Sequence, residues 1–134
     1  MNAAIDPTPA QLRRLASAPE SEPIVMVNLL RFRDCAAGDD AGVSGAEAYG
    51  RYAAAVAPLI ERVGGRLLAA AACEESVIGP DGSEWDLVAL VEYPSRAAFL
   101  AMATSPEYGE IGAHRANALA DSRLILAHLV PSFD

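Results

Sequence analysis

At 134 residues the chain is close to the commonest size of one domain, long enough to bury roughly two-thirds of its unfolded surface without disulfides or metals. Its 18 acidic residues against 10 basic ones give a net charge of −8, which repels phosphate backbones and anionic lipid heads, so no nucleic acid and no membrane are expected as partners. No apolar run approaches the roughly 18 residues of a membrane span, and Met1-Asn2-Ala3-Ala4-Ile5-Asp6-Pro7 does not read as a signal peptide, which predicts a cytoplasmic protein.

In chain order, Thr8-Pro9 opens a short helix as N-cap and first helical residue, closed by Pro19 and Pro23. Residues 1–23 thus read as an N-terminal arm, and 24–134 as a single α+β domain. Residues 24–32 are a nearly continuous apolar run rich in branched side chains, which predicts a strand covered on both faces. Residues 34–44 carry Gly38, Asp39, Asp40 and Gly42 and read as a loop long enough for a mobile flap. A helix is predicted from Ser44 or Gly45 to Arg62, with Tyr49, Ala53, Val56, Ile60 and Val63 as its buried stripe. Pro58 is expected to kink it or disturb its last turn, and Gly64-Gly65 stops it.

Residues 66–78 and 85–93 read as two strands of a hairpin around Gly79-Pro80-Asp81-Gly82. A helix opens at Pro94-Ser95, restarts at Ser105-Pro106-Glu107 and runs to Leu119, and residues 122–130 form a last strand. The order βαββαβ is a split βαβ arrangement: a ferredoxin-like, four-stranded antiparallel sheet with helices on one face, plus the short N-terminal helix. Both parities of the first, third and fourth strands are largely apolar. A bare sheet face would expose more apolar surface than a monomer usually tolerates, so a homodimer is expected.

The segment from Met26 to Phe32 resembles the first strand of the bacterial family called domain of unknown function 1330. So do Tyr49-x-x-Tyr52 leading to Gly64-Gly65-Arg66, the block Glu92-Tyr93-Pro94-Ser95, then Ser105-Pro106-Glu107-Tyr108, and His114-Arg115. The similarity spans residues 24–130. It implies the dimeric α+β barrel superfamily, whose relatives include cofactor-free monooxygenases, muconolactone isomerase-like enzymes, polyketide cyclases and haem-binding peroxidases. It transfers no catalytic residues, because fold alone does not assign function.

Polar residues on apolar elements are the candidates for chemistry. Asn28 shares strand parity with Ile24, Met26, Leu30 and Phe32, so it either binds a ligand carbonyl or carboxylate in a pocket or bonds a neighbouring loop or helix end. Arg31, on the other parity, either clamps an anion or makes a rim salt bridge. His114 lies beside the Tyr108, Ile111 and Leu119 stripe and is either a general base or an interface or helix-end histidine. Arg115 is grouped with Tyr49 and Tyr52 as substrate-binding, the tyrosines being core otherwise. His128 reads as structural or at a dimer contact.

Cys35 and Cys73 lack partners at ligand spacing and read as reduced thiols, so no metal is expected. Neither a dinucleotide or Walker loop nor a nucleophile elbow nor a His-Glu-x-x-His motif is present, and no cofactor is expected. The resulting expectation is a small-molecule pocket protein with cofactor-free chemistry of isomerase, cyclase, lyase or monooxygenase type on a small carbonyl or carboxylate compound. Its alternative is a non-catalytic metabolite-binding or structural homodimer.

Overall fold

Local capping chemistry starts every α-helix. In the computed structural model, which describes residues 3–18 and 22–131, Thr8 is extended and its hydroxyl accepts the Gln11 N–H, while the Gln11 side chain accepts the Thr8 N–H. This reciprocal box and Pro9 at the first position set helix α1, Pro9–Ser17. Pro19 lies outside the described residues. Ser44, Ser95 and Ser105 cap α2 (Gly45–Arg62), α3 (Arg96–Ala103) and α4 (Pro106–Ala118) in the same manner, each hydroxyl accepting a first-turn N–H. Pro58 stands inside α2, which runs on through it to Arg62.

Strands β1 (Ile24–Phe32), β2 (Arg66–Ala72), β3 (Leu87–Tyr93) and β4 (Leu119–Ala127) form one antiparallel sheet in the order β2-β3-β1-β4. This is the ferredoxin-like α+β arrangement that the element order predicts. Four strand limits differ from the sequence reading, and pairing explains each. Ala72 faces Leu87 at the last rung of the β2–β3 ladder, so residues 73–78 have no strand to continue against and join the connecting loop. There Val77 and Ile78 are 95% and 96% exposed. Trp85 and Asp86 fall before the same rung, although the Asp86 N–H still reaches the Leu30 carbonyl. β4 begins at Leu119, opposite Phe32, and ends at Ala127, opposite Val25, because that is the reach of β1. Helix α4 therefore passes into β4 with no loop, Leu119 being already extended.

Strand alternation sorts the side chains. Met26, Asn28 and Leu30 share a face with Ala89, Val91, Leu124 and Leu126, and helix residues cover that face. Val27, Leu29 and Arg31 share the other with Val88, Leu90 and Ile125. The main core joins Ile24, Met26, Val91 and Tyr93 to Tyr52, Val56, Leu59 and Met102. A second cluster holds Leu30 and Leu119 among Ala36, Ala48 and Ala118. Gly45 sits where β1, α2 and α4 meet: its N–H bonds the Arg33 carbonyl and the Arg33 N–H bonds the Ala118 carbonyl. A Cβ at Gly45 would run into both carbonyls, which is why the helix begins on glycine.

Candidate functional site: a cavity between the sheet and the helices

The helix-side face of the sheet is only partly filled. A cavity of about 1000 Å³ separates it from α2, and the N-terminal arm closes one side with Ala4 to Pro7, Gln11, Leu12 and Leu15. Its floor is Met26, Asn28, Ala89, Val91 and Leu124, and its roof includes Tyr52, Val56 and Ile60. Most of this wall is apolar. That matches the usual composition of a small-molecule site, which adds a few polar groups to fix orientation.

The polar groups converge from four elements. Asn28 donates from Nδ2 to the carbonyls of Met26 and Ala89, both at 3.4 Å, the long limit of a hydrogen bond. The Tyr52 and Tyr108 hydroxyls share a hydrogen bond of 2.9 Å. Aromatic contacts fix their rings: Phe32 lies 5.5 Å from Tyr49, Tyr49 lies 5.3 Å from Tyr52, and Tyr52 meets Tyr108 edge-on at 6.1 Å. Burial raises the Tyr49 pKa, against the lowering effect of the Arg115 charge. Burial also pushes Tyr52 far up, helped by the neighbouring Tyr108. Both hydroxyls therefore stay protonated and able to donate.

Three arginines border the cavity, Arg66 and Arg123 from strand positions whose parity turns their side chains to the far face and Arg115 from α4. Arg66 pairs with Glu92 at 3.0 Å and Arg123 with Asp121 at 2.8 Å. Arg115 differs: Nη1 donates to the Ile5 carbonyl at 2.6 Å and Nη2 to the Ser122 hydroxyl at 3.4 Å, with no carboxylate in ion-pair reach among the described residues. The Ser122 hydroxyl donates to the Ala4 carbonyl at 2.6 Å, and the Ala4 N–H donates to Asp121 at 2.9 Å. These bonds tie the arm across the Arg115 end of the cavity.

The expected site residues thus fall into two groups. Asn28, Tyr49, Tyr52 and Arg115 line the cavity, but His114 and Arg31 do not. Arg31 lies on the far face of the sheet, where Nε donates to the Glu84 carbonyl at 2.9 Å and the guanidinium sits 5.4 Å from the Trp85 ring centre. Arg123 approaches the same ring at 5.5 Å. His128 bonds the Pro23 carbonyl from an exposed position.

His114 faces the loop after β1. Its Nδ1 lies 2.8 Å from Asp40, which is 1% exposed and also accepts from Arg51 at 2.9 Å and Asn117 at 3.0 Å. The Asn117 and then the His114 hydrogen bonds lower the Asp40 pKa to about 2, against the opposing effect of burial. The loop expected as a flap is accordingly docked on α4: Asp40 stands in a 3₁₀ turn, Gly38–Asp40, and Ala37 N–H bonds the Asn117 carbonyl. Sequence reasoning passed over Asp40 because its partner His114 is 74 residues away. Cys35 and Cys73 are free thiols, and no group of three or more His, Cys, Asp or Glu among the described residues is placed to hold a metal.

Comparison with known proteins agrees with the fold. A crystal structure of the RPA0582 protein of unknown function from Rhodopseudomonas palustris is 40% identical, with a TM-score of 0.89, covering 97% of this chain and all, 100%, of its own. Its methylated form gives 41% identity and a TM-score of 0.88, covering 98% of each chain. A "Putative antibiotic biosynthesis monooxygenase" from Bacteroides thetaiotaomicron shares the fold at 15% identity and a TM-score of 0.52, covering 84% of this chain and 95% of its own. No curated protein matches the chain. The sequence pattern of the family described as Domain of unknown function (DUF1330) matches residues 40–129, two-thirds of the length, and the chain belongs to that family.

Proposed function

We propose that this protein is a small-molecule pocket protein, whose cavity takes a small, largely apolar organic compound carrying a carbonyl or carboxylate group. The observation that carries the reading is the cavity itself: about 1000 Å³ of mostly apolar wall into which Asn28, Tyr49, Tyr52 and Arg115 converge. Of the two forms of this function, binding without conversion fits the lining better. The hydroxyls and the guanidinium are donors, suited to holding an oxygen. Among the described residues the carboxylates of the lining are Asp6 and Glu61, both exposed, and His114 turns to Asp40 instead. A cofactor-free isomerase, cyclase, lyase or monooxygenase needs a proton acceptor beside the substrate, in hydrogen-bond reach.

The reading includes a homodimer. The far face of the sheet presents Val27, Leu29, Val88 and Leu90, half-buried, and Ile125, 48% exposed, with no helix over it among the described residues. A second copy of the sheet is the simplest cover for such a patch. No helix of the described residues is long and apolar enough to cross a membrane.

The test uses a neutral apolar fluorophore, N-phenyl-1-naphthylamine, titrated into the purified protein. Ala53, on α2, lines the cavity and is exposed, so Ala53→Trp fills the space without disturbing a buried residue. Saturable binding that Ala53→Trp abolishes is the expected result. Binding that the tryptophan leaves untouched, or no binding at all, refutes the pocket. Native mass spectrometry of the same samples should show two chains, and a clean monomer would remove the dimer.

A further inference from the structure

We infer that the compound held in this cavity is a monocarboxylate with an apolar tail, and that its carboxylate seats on Arg115 at the end closed by the N-terminal arm. The inference rests on the pocket reading above and adds the charge, the orientation and the anchoring residue.

The charge balance of the wall carries it. Arg66 and Arg123 are each neutralised by a neighbouring carboxylate, from Glu92 and Asp121. The Arg115 guanidinium is half-buried and meets only neutral oxygens, the Ile5 carbonyl and the Ser122 hydroxyl. A guanidinium has five N–H donors in a planar fork, and these two bonds engage two of them. Three remain, and the carboxylates of the lining, Asp6 and Glu61, are exposed and make no ion pair with Arg115 among the described residues. A partly desolvated cation without a counter-charge is costly, and an anionic ligand removes that cost while gaining charge-assisted bonds.

The surroundings select a carboxylate over a larger anion. Arg115, Tyr49 and Tyr52 line the same cavity, with the two tyrosine rings 5.3 Å apart and the Arg115 charge acting on both hydroxyls, so the guanidinium and these two neutral donors serve one region. Ala4, Ile5 and Ser122 close that region through their hydrogen bonds, and the planar guanidinium fork with its free N–H groups matches a planar carboxylate. Beyond it, Met26, Val56, Val91 and Leu126 form an apolar channel for the tail. Asp6 and Glu61, both exposed, disfavour a second negative charge on the ligand, which makes it a monoanion.

The experiment is competition against bound N-phenyl-1-naphthylamine by octanoate and by 1-octanol, which share a tail and differ in charge, with wild type, Arg115→Met and Arg115→Lys. The expected result is that octanoate displaces the dye at least about tenfold more effectively than octanol from wild type. Arg115→Met should remove that preference, read as the ratio of acid to alcohol displacement within the variant and so independent of its own dye affinity, and Arg115→Lys, which keeps the charge but not the fork, should retain part of it. Equal displacement by acid and alcohol in wild type, or a preference that survives in Arg115→Met, overturns the anchor while the pocket stands. No dye binding by the wild type fails the pocket reading instead. Should Arg115→Met lose dye binding through misfolding, the comparison of Arg115→Lys with wild type decides, and an undiminished preference there counts against the bidentate seat.

Discussion

Leu30→Ala measures how tightly the structure is locked behind the cavity. Leu30 is fully buried, 0% exposed, on the central strand, between Leu87 of β3 and Ser122 of β4. Truncation removes three carbons, worth about 2.4 kcal/mol at about 0.8 kcal/mol per buried methylene. The cavity left behind adds to this when neighbours do not close in, and measured Leu→Ala losses run from about 2 to 5 kcal/mol. Its buried cluster is Leu119 with Ala36, Ala48 and Ala118, whose side chains have no rotatable bond to swing into the hole, and Phe32, Val43, Tyr49 and Leu87 pack against it. The hole closes only in part on the alanine side, and the expected loss is about 3–4 kcal/mol. Urea unfolding at fixed protein concentration reads it as a shift of midpoint with unchanged slope. Leu30→Met, similar in volume, should cost less than about 1.5 kcal/mol. A Leu30→Ala loss below about 2 kcal/mol at unchanged slope refutes the argument that an alanine-walled site is rigid.

Gly45→Ala should destabilise by about 1–3 kcal/mol, because the new methyl meets two backbone carbonyls that are themselves hydrogen-bonded; a thermal midpoint equal to wild type would show that the crossing can open. Asp40 has a folded-state pKa lowered from 3.8 to about 2, so its contribution to stability is present above pH 3.8 and is lost as pH falls through 2. Asp40→Asn should be less stable than wild type at neutral pH, with the two stability curves converging between pH 3.8 and 2 in urea midpoints measured against pH. A gap that stays constant over that window would show that the Asp40 charge is not what matters.

What the sequence discloses is what short range decides. The Thr8, Ser44, Ser95 and Ser105 caps lie within three residues of the N–H groups they accept, so the helix starts are legible. Alternation along β1 likewise places Asn28 and Arg31 on opposite faces, but not which face carries the cavity, since helices from elsewhere in the chain decide that. Strand ends are set by the partner: β4 starts at Leu119 because β1 reaches Phe32, 87 residues earlier in the chain. On α4 a usable signal was present. Residues seven apart on a helix return to within about 20° of one direction, so Arg115 lies on the Tyr108 face, while His114 is turned about 120° from Tyr108. The sequence reading sets His114 beside the Tyr108 stripe, whereas Arg115 is the residue that belongs there. The bond from Arg115 to Ile5 spans 110 residues and leaves no trace in spacing.

The two adjacent polar residues of α4 show how burial assigns roles that composition leaves open. A histidine held through Nδ1 by a buried carboxylate has the orientation used in general-base catalysis, and side-chain type alone would favour His114 over Arg115 as the working residue. Yet Asp40 uses its acceptor capacity on three partners from two helices: His114 and Asn117 from α4, and Arg51 from α2. Those bonds bring the 3₁₀ turn, α2 and α4 together, which is what a buried charge does when its partners come from separate segments. The group with donor capacity left over is on the other side of the helix. Arg115 faces space where its neighbour faces protein, and a ligand can complete only what the fold has left incomplete. The same helix thus closes the molecule along its His114 side and leaves it open along its Arg115 side.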